Sequence, residues 1–424
     1  MIAPPRLTRF TRCVLCLGLA LTALLSARAI AAPRAVAHAA RPAPSTTRHS
    51  AATANDTLAW VDSHTITRDD LRRRIELMPW PVKHGRASLD SARVKALESL
   101  VAEQLLADQA RRDGLDQSSH LVRTREALRR TLVRDALYRD VTRGVADPAP
   151  DAITRAMIAR TPGRAAERTA SLRRVVADSL RQLSAGLRAR TFMEQTLEGQ
   201  RAAVDSVSLL MLADTLRSLM AATTRESGGA LAGTGEFADL LLDRLAPSLD
   251  RPLVRMSDGD LTLGDCIGAM RFYPFTLHAQ TRRNFAAELS ARLKEMVEGE
   301  RMTREALRRG LANDAEVVRE LDRWTTAWLS QLMLERAAAE PQLTTRPGRA
   351  SAAKRAEALD RSIAALAARS RVRLDYAALR KTPIVPSNMV TKRMIGFGGG
   401  MMAAPMLAPL WNWAGYWRDA PPLP

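Results

Sequence analysis

Residues 109–115 read Gln-Ala-Arg-Arg-Asp-Gly-Leu, and residues 305–311 read Glu-Ala-Leu-Arg-Arg-Gly-Leu. Laid over each other, the two stretches bring their surroundings into register. Val122-Arg123 falls on Val318-Arg319, and Leu128 and Leu132 fall on Trp324 and Trp328. Upstream, after a one-residue gap, residues 58–80 fall on residues 253–275, so Ile66-Thr67 meets Leu261-Thr262, Asp70 meets Asp265 and Pro79-Trp80 meets Pro274-Phe275. Matches in this order mark a tandem duplication, since self-similarity at a fixed offset is the signature of repeated architecture. A further pair, Val204-Asp205 with Leu209 and Leu374-Asp375 with Leu379, is expected to close each unit.

Residue chemistry predicts the elements of each unit. Trp60 to Ile66 reads as extended chain with a turn at Asp62-Ser63-His64. Thr67 then serves as a helix N-cap, its hydroxyl accepting from an orphan backbone N–H, and Asp69 and Asp70 stand in the first turn where the helix dipole favours negative charge. Pro79 and Pro81 end that helix, and Ser91 is expected to open the next. There Val94, Leu97, Val101 and Leu105 recur at three and four, one apolar face of a helix. Gly114 stops it, and a third helix is expected from about Ser118 to Arg143, with Leu121, Leu128, Leu132 and Ala136 inward and Asp147-Pro148-Ala149-Pro150 as breaker.

The 424 residues are 46% hydrophobic and 26% charged, a globular composition, and carry a formal charge of +19. Arg6, Arg9 and Arg12 precede an apolar run over residues 13–25, and small residues follow at Ala29-Ile30-Ala31, the layout of a cleavable secretory leader. The run is short for a membrane span. Cys13 and Cys16 would leave with that leader, so Cys266 stands alone and an intramolecular disulfide is excluded. Arginines interleave with acids, as in Arg125-Glu126 and Arg319-Glu320, which reads as solvated helix faces rather than a nucleic-acid surface; no nucleic acid is expected as a partner.

The expected organisation is a leader over residues 1–31, a disordered linker over 32–56, helical modules over 57–222 and 252–384 with a linker at 223–251 between them, and an apolar Gly/Pro-rich tail over 385–424. The expected fold class is mainly α, two tandem helical modules with a few short β-strands. In the tail, residues 394–417 lack charge and end in Trp411, Trp413, Tyr416 and Trp417. Aromatics flanked by cations suit a membrane interface, and folding back into a groove of the same protein stays open as well.

The strand and turn, the Thr-capped helix ending in Pro, the long helix finishing in Ala-Arg-Arg-Asp-Gly-Leu and the further long helix resemble the N-terminal chaperone domain of the SurA family of parvulin-type peptidyl-prolyl isomerases. The likeness covers residues 58–145 and again 253–336. It implies an exported, periplasmic folding factor that holds unfolded envelope or outer-membrane proteins, often beside a domain that isomerises X-Pro bonds. By the same resemblance, such a domain is built around paired histidines. The six histidines here, at 38, 49, 64, 84, 120 and 278, leave the interval from 120 to 278 empty. No catalytic residue, metal site or cofactor is therefore expected.

Motifs for other chemistries are missing: there is no Walker loop, HExxH helix, Cys-x-x-Cys pair or G-x-S-x-G elbow. The glycines at 396 and 398–400 follow no strand-like run. Cys266 aligns with Leu71 and reads as a small core residue. Met78, Pro79 and Trp80, with Phe272, Tyr273 and Phe275, sit at the helix exit of each unit and are the candidates for client binding, the alternative being that they cap the core. Trp411, Trp413, Tyr416 and Trp417 are the candidates for membrane contact. Three functional readings stay open: a non-catalytic SurA-like chaperone, an envelope scaffold that binds one folded partner at the membrane, and a divergent but active isomerase.

Overall fold

The computed structural model describes residues 56–77, 86–153, 156, 169–227, 235–272, 277, 281–338, 349–383, 392–394, 396–397 and 401–403. The expected leader, nearly all of the linker after it and the aromatic end of the tail lie outside these residues. So do Met78, Pro79, Trp80, Tyr273, Phe275, Trp411, Trp413, Tyr416 and Trp417.

The first half opens with β1 (Thr57–Val61) and β2 (His64–Thr67), an antiparallel hairpin that feeds α1 (Arg68–Leu77). Thr67 caps α1 reciprocally: the Asp70 N–H donates to Thr67 Oγ1 at 3.3 Å, and the Thr67 N–H donates to Asp70 Oδ2 at 2.9 Å. Next come α2 (Arg86–Arg112) and α3 (Ser119–Thr142). Between them Gly114 takes φ +74°, where a β-carbon would be strained, and the Ser118 hydroxyl accepts from the Leu121 N–H. The second half repeats this in β4 (Pro252–Met256), β5 (Leu261–Thr262), α7 (Leu263–Met270), α8 (Arg282–Arg308) and α9 (Ala315–Ala338). Thr262 and Asp265 form the same capping box, and Gly310 takes φ +75°.

Between the halves run α4 (Thr169–Leu197), β3 (Ala202–Val204), α5 (Ser206–Ser227) and α6 (Gly235–Arg244). After the second half come α10 (Arg349–Ala367), β6 (Val372–Leu374), α11 (Tyr376–Lys381) and a two-stranded ribbon of β7 (Lys392–Met394) and β8 (Met401–Ala403). The protein is mainly α with a few short antiparallel strands.

The strands that close the two sheets are exchanged. β6, at the end of the chain, joins the first hairpin in the order β2-β1-β6, while β3 joins the second in the order β3-β4-β5. Main-chain bonds repeat the swap: the Asp375 N–H donates to Leu58 O and the Asp205 N–H to Leu253 O, both at 2.9 Å. Asp205 and Asp375 then cap α5 and α11, accepting from the Ser208 N–H at 2.9 Å and the Ala378 N–H at 2.8 Å. The two segments that correspond in sequence thus each complete the hairpin of the other half.

The reason lies in the helices. α2 lies along α9, and α3 lies along α8 and α9, so α2 and α3 do not fold back on each other as a hairpin. At about 1.5 Å per residue, the 24-residue α3 carries the chain about 36 Å onward. The strand that follows meets the other half's sheet.

The cores follow the exchange. Leu58, Val61, Leu71, Ile75, Leu97, Val101 and Leu105 pack with Ile363, Leu366 and Leu379 from the end of the chain. Leu212 and Leu216 of α5 and Phe237 and Leu241 of α6 pack with Leu253, Leu263, Ile267, Phe285 and Leu289. A third cluster, from Leu128, Leu132 and Leu137 to Met302, Val317 and Trp324, joins the halves through α3, α8 and α9.

Several local expectations need correction. α2 begins at Arg86, not Ser91. α3 runs as expected from its N-cap Ser118 to its C-cap Arg143, and the chain turns at Gly144, φ +72°, ahead of Asp147-Pro148. The linker expected at 223–251 contains α6, because Phe237, Ala238, Leu241 and Leu242 recur at helical spacing and are buried. Gly396 does follow a strand, β7.

Exchange makes a specific expectation for stability. Leu379 is buried among first-half residues although it lies near the end of the chain. Leu379→Ala should cost about 2–5 kcal/mol. Amide exchange should accelerate most in residues 57–67 and less in residues 252–262.

Candidate functional site

A catalytic centre would show as titratable or nucleophilic groups converging on a cavity. The described histidines face one carboxylate each: His64 Nε2 lies 3.5 Å from Asp108, and His120 Nδ1 lies 3.2 Å from Asp239. Cys266 is fully buried with its sulfur 3.9 Å from that of Met296, and burial pushes its thiol pKa up, which makes it a poor nucleophile. Among the described residues no cluster of three or more His, Cys, Asp or Glu is placed to hold a metal ion. Nor, among them, is any helix long and apolar enough to cross a membrane.

The equivalent place in the two halves is filled differently. In the first half, α1 and α2 meet α9 across a cluster of charges. Arg323 donates to Asp70 Oδ1 at 2.8 Å, to Asp69 Oδ2 at 2.9 Å and to Glu320 Oε1 at 2.8 Å; Arg73 pairs with Glu320, and Arg74 with Glu103. Burial works against the Asp69 charge, but Arg73, Arg323 and Arg72 together hold its carboxyl below the usual range. Burial pushes the Glu103 carboxyl up, opposed by Arg74.

The duplication places Gly264, Asp265, Gly268, Ala269, Gly299, Thr124 and Ala127 at the positions of Asp69, Asp70, Arg73, Arg74, Glu103, Glu320 and Arg323. Of the ionic residues only Asp265 survives. The space left is lined by Ala127, Thr131, Asp265, Ala269, Met296 and Thr303, and Arg134 reaches over Gly299, where a Cβ would collide with its guanidinium. About 40 Å³ remains, room for a water or two but far below the ~300 Å³ of a typical small-molecule site.

The larger hollow is an open cleft of about 550 Å³ lined by Asp140, Val141, Arg188, Thr191, Phe192, Gln195 and Arg309, between α3, α4 and the end of α8. The Arg309 guanidinium lies 4.9 Å from the Phe192 ring centre and donates to Glu305 at 2.6 Å. In the middle of α4, N-terminal to the cleft residues of that helix, Leu183 and Leu187 are 49% and 57% exposed, and Val175 lies further along the same helix at 54%. Residues 181–184 and 186–188 are exposed all round the helix, so the middle of α4 stands in solvent while Val176, Ala189 and Phe192 anchor it. Leaving a large apolar side chain in water forgoes about 1.5–3 kcal/mol of burial.

Of the sequence candidates for client contact, Phe272 alone lies among the described residues, and it is buried. Its ring meets Trp324 edge-on at 6.4 Å and Trp328 at 6.3 Å, so it caps the core. Sequence reasoning missed the surface of α4. Val175, Leu183 and Leu187 fall four or eight apart, a helical stripe that was legible but indistinguishable from a core-facing one.

No family model, no curated protein and no solved structure matches this chain.

The charge cluster has a measurable consequence. Arg323→Met should cost about 1–3 kcal/mol at neutral pH, because buried acceptors lose a charged donor. A carboxyl whose folded pKa is depressed stabilises above its unfolded value, near 3.8 for Asp69, and loses that contribution as pH falls through the folded value. In urea melts the difference between the variant and the parent protein should therefore be greatest near pH 7 and shrink below pH ~4.

Proposed function

We propose that the chain is an exported, non-catalytic holding chaperone of SurA type, which shields unfolded envelope or outer-membrane proteins in the periplasm. The observation that carries this reading is the middle of α4, where Leu183 and Leu187 stand in water beside an open cleft while the hydrophobic cores are complete without them. A surface of that kind offers apolar contact without a shaped pocket, which suits clients of varied sequence. The resemblance of both halves to the SurA N-terminal domain and the leader-like residues 1–31 point the same way. Membrane contact through Trp411, Trp413, Tyr416 and Trp417 is part of the proposal and rests on sequence alone.

The absence of paired histidines between 120 and 278 argues against bond rotation as the activity. Lowering a barrier of ~18–20 kcal/mol takes an enclosed, oriented site, and the cleft beside α4 is open.

The purified protein should suppress aggregation of a urea-denatured outer-membrane β-barrel at near-stoichiometric ratio and leave the isomerisation rate of a proline tetrapeptide unchanged. L183Q/L187Q should weaken suppression severalfold while shifting stability by less than about 0.5 kcal/mol. If the parent protein fails to suppress aggregation, or captures one folded partner at fixed stoichiometry instead, the proposal is wrong.

A further inference from the structure

Beside the cleft, the far end of the chain is docked in a way that differs from every other closing segment. The ribbon of β7 and β8 pairs with no third strand among the described residues, whereas β3 and β6 are each sewn into a three-stranded sheet. An isolated two-stranded ribbon is marginal in water. It is tied down at its tip, where Phe397 lies between two aromatic rings: Tyr138 of α3, edge-on with centroids 5.5 Å apart, and Phe192 of α4, at 6.0 Å. The Gly396 N–H donates to the buried Asp135 at 3.3 Å.

Two features show how the tip is fitted. Gly396 presses against Tyr138 so closely that a Cβ there would overlap the ring. Phe397 itself holds φ +55°, a left-handed conformation that L side chains with a Cβ rarely adopt. Among the described residues the tip is held by the Phe397 ring between Tyr138 and Phe192 and by the Gly396 hydrogen bond, against an unfavourable backbone, and Gly396 and Phe397 remain partly exposed. A permanent core element is not built this way. A removable one is.

The position is as telling as the strength. Phe192 is shared: one neighbour is Phe397, another is Arg309, and the ring also lines the open cleft. The notch between Tyr138 and Phe192 therefore shares the Phe192 side chain with that cleft.

We infer that the notch formed by Tyr138 and Phe192 is an acceptor site for a peptide segment carrying an aromatic residue preceded by glycine, and that the chain's own Gly396-Phe397 occupies it as a plug in cis. This deepens the chaperone reading and rests on it for the identity of the incoming peptide. The plug sets a threshold: a segment enters only by displacing Phe397, so the apparent affinity is the intrinsic one multiplied by the fraction of time the notch is open. The selectivity follows from the fit. Phenylalanine supplies the ring that Tyr138 meets edge-on and Phe192 meets at a tilt, and glycine is the residue that clears the Tyr138 ring.

The probe is a fluorescein-labelled peptide of residues 391–405, titrated by anisotropy against the full-length protein. The parent protein should bind it weakly, and Phe397→Ala, which vacates the notch, should bind it about tenfold more tightly. Adding Tyr138→Ala to Phe397→Ala should abolish the gain, with unchanged circular dichroism showing that the helices persist. A peptide with Phe397→Ala or Gly396→Val should not bind. Equal binding by the parent protein and Phe397→Ala, or no binding by either, would overturn the plug. The two readings separate cleanly: unmasked binding with no suppression of aggregation would leave the plug standing and remove the chaperone, while suppression with no unmasking would do the reverse.

Discussion

Two main-chain hydrogen bonds state the constraint on which the structure depends. The Asp375 N–H donates to Leu58 O, and the Asp205 N–H donates to Leu253 O. Leu58 and Leu253 are the same position of the duplicated unit, and Asp205 and Asp375 are the same position of its closing segment. Each hairpin is completed by the segment that follows the other unit. Neither half can bury its own sheet edge or fill its own core: Ile363 and Leu379 belong with Leu58 and Leu97, and Leu212 and Leu216 with Leu253 and Phe285. The first sheet therefore closes only when residues more than 300 positions apart, such as Val61 and Val372, have met, a non-local contact that slows folding and makes the two halves fold as one.

Within that shared frame the halves have diverged, and the divergence is chemical. The first half is clamped where α1 and α2 meet α9 by Arg323, Arg73 and Arg74 with four carboxylates. The second half has glycine, alanine and threonine at nearly all of these positions, with Arg130 pairing to Glu300 nearby. The closing helices differ as well. α10 buries Leu359, Ile363 and Leu366 along its length, whereas the longer α4 is anchored at Val176 and again at Ala189 and Phe192, with its middle in solvent. α4 has 29 residues against 19 in α10, and its exposed middle has no counterpart among the buried residues of α10.

How much of this could be read from sequence depended on whether the determinant was local. The capping Thr67 and Thr262, the helix stops at Gly114 and Gly310, the N-cap Ser118 and the buried Leu121, Leu128, Leu132 and Ala136 are set by near neighbours, and the residues that specify them lie within a few positions. Cys266 reads as a small core residue because its repeat partner Leu71 does, and both are fully buried. The exchange was not legible. The pairing of Val204-Asp205 with Leu374-Asp375 identifies two closing segments but not which hairpin each one closes, because that depends on where α3 and α9 deliver the chain. The surface of α4 was missed for a related reason: a helical apolar stripe looks the same whether or not a neighbour covers it. The notch for Phe397 depends on three segments far apart in the chain, and the run of glycines around it reads locally as loop.

The exchange is tested most directly by cysteine pairs introduced into a chain otherwise cleared of cysteine. Ala203 and Arg255 face each other across β3 and β4, and Trp60 and Arg373 across β1 and β6. Directly opposed residues of antiparallel strands lie within disulfide reach. On oxidation A203C/R255C and W60C/R373C should each form a disulfide within the monomer, and W60C/A203C should not. A disulfide in W60C/A203C, with none in the other two, would show that each unit closes its own sheet and would contradict the account.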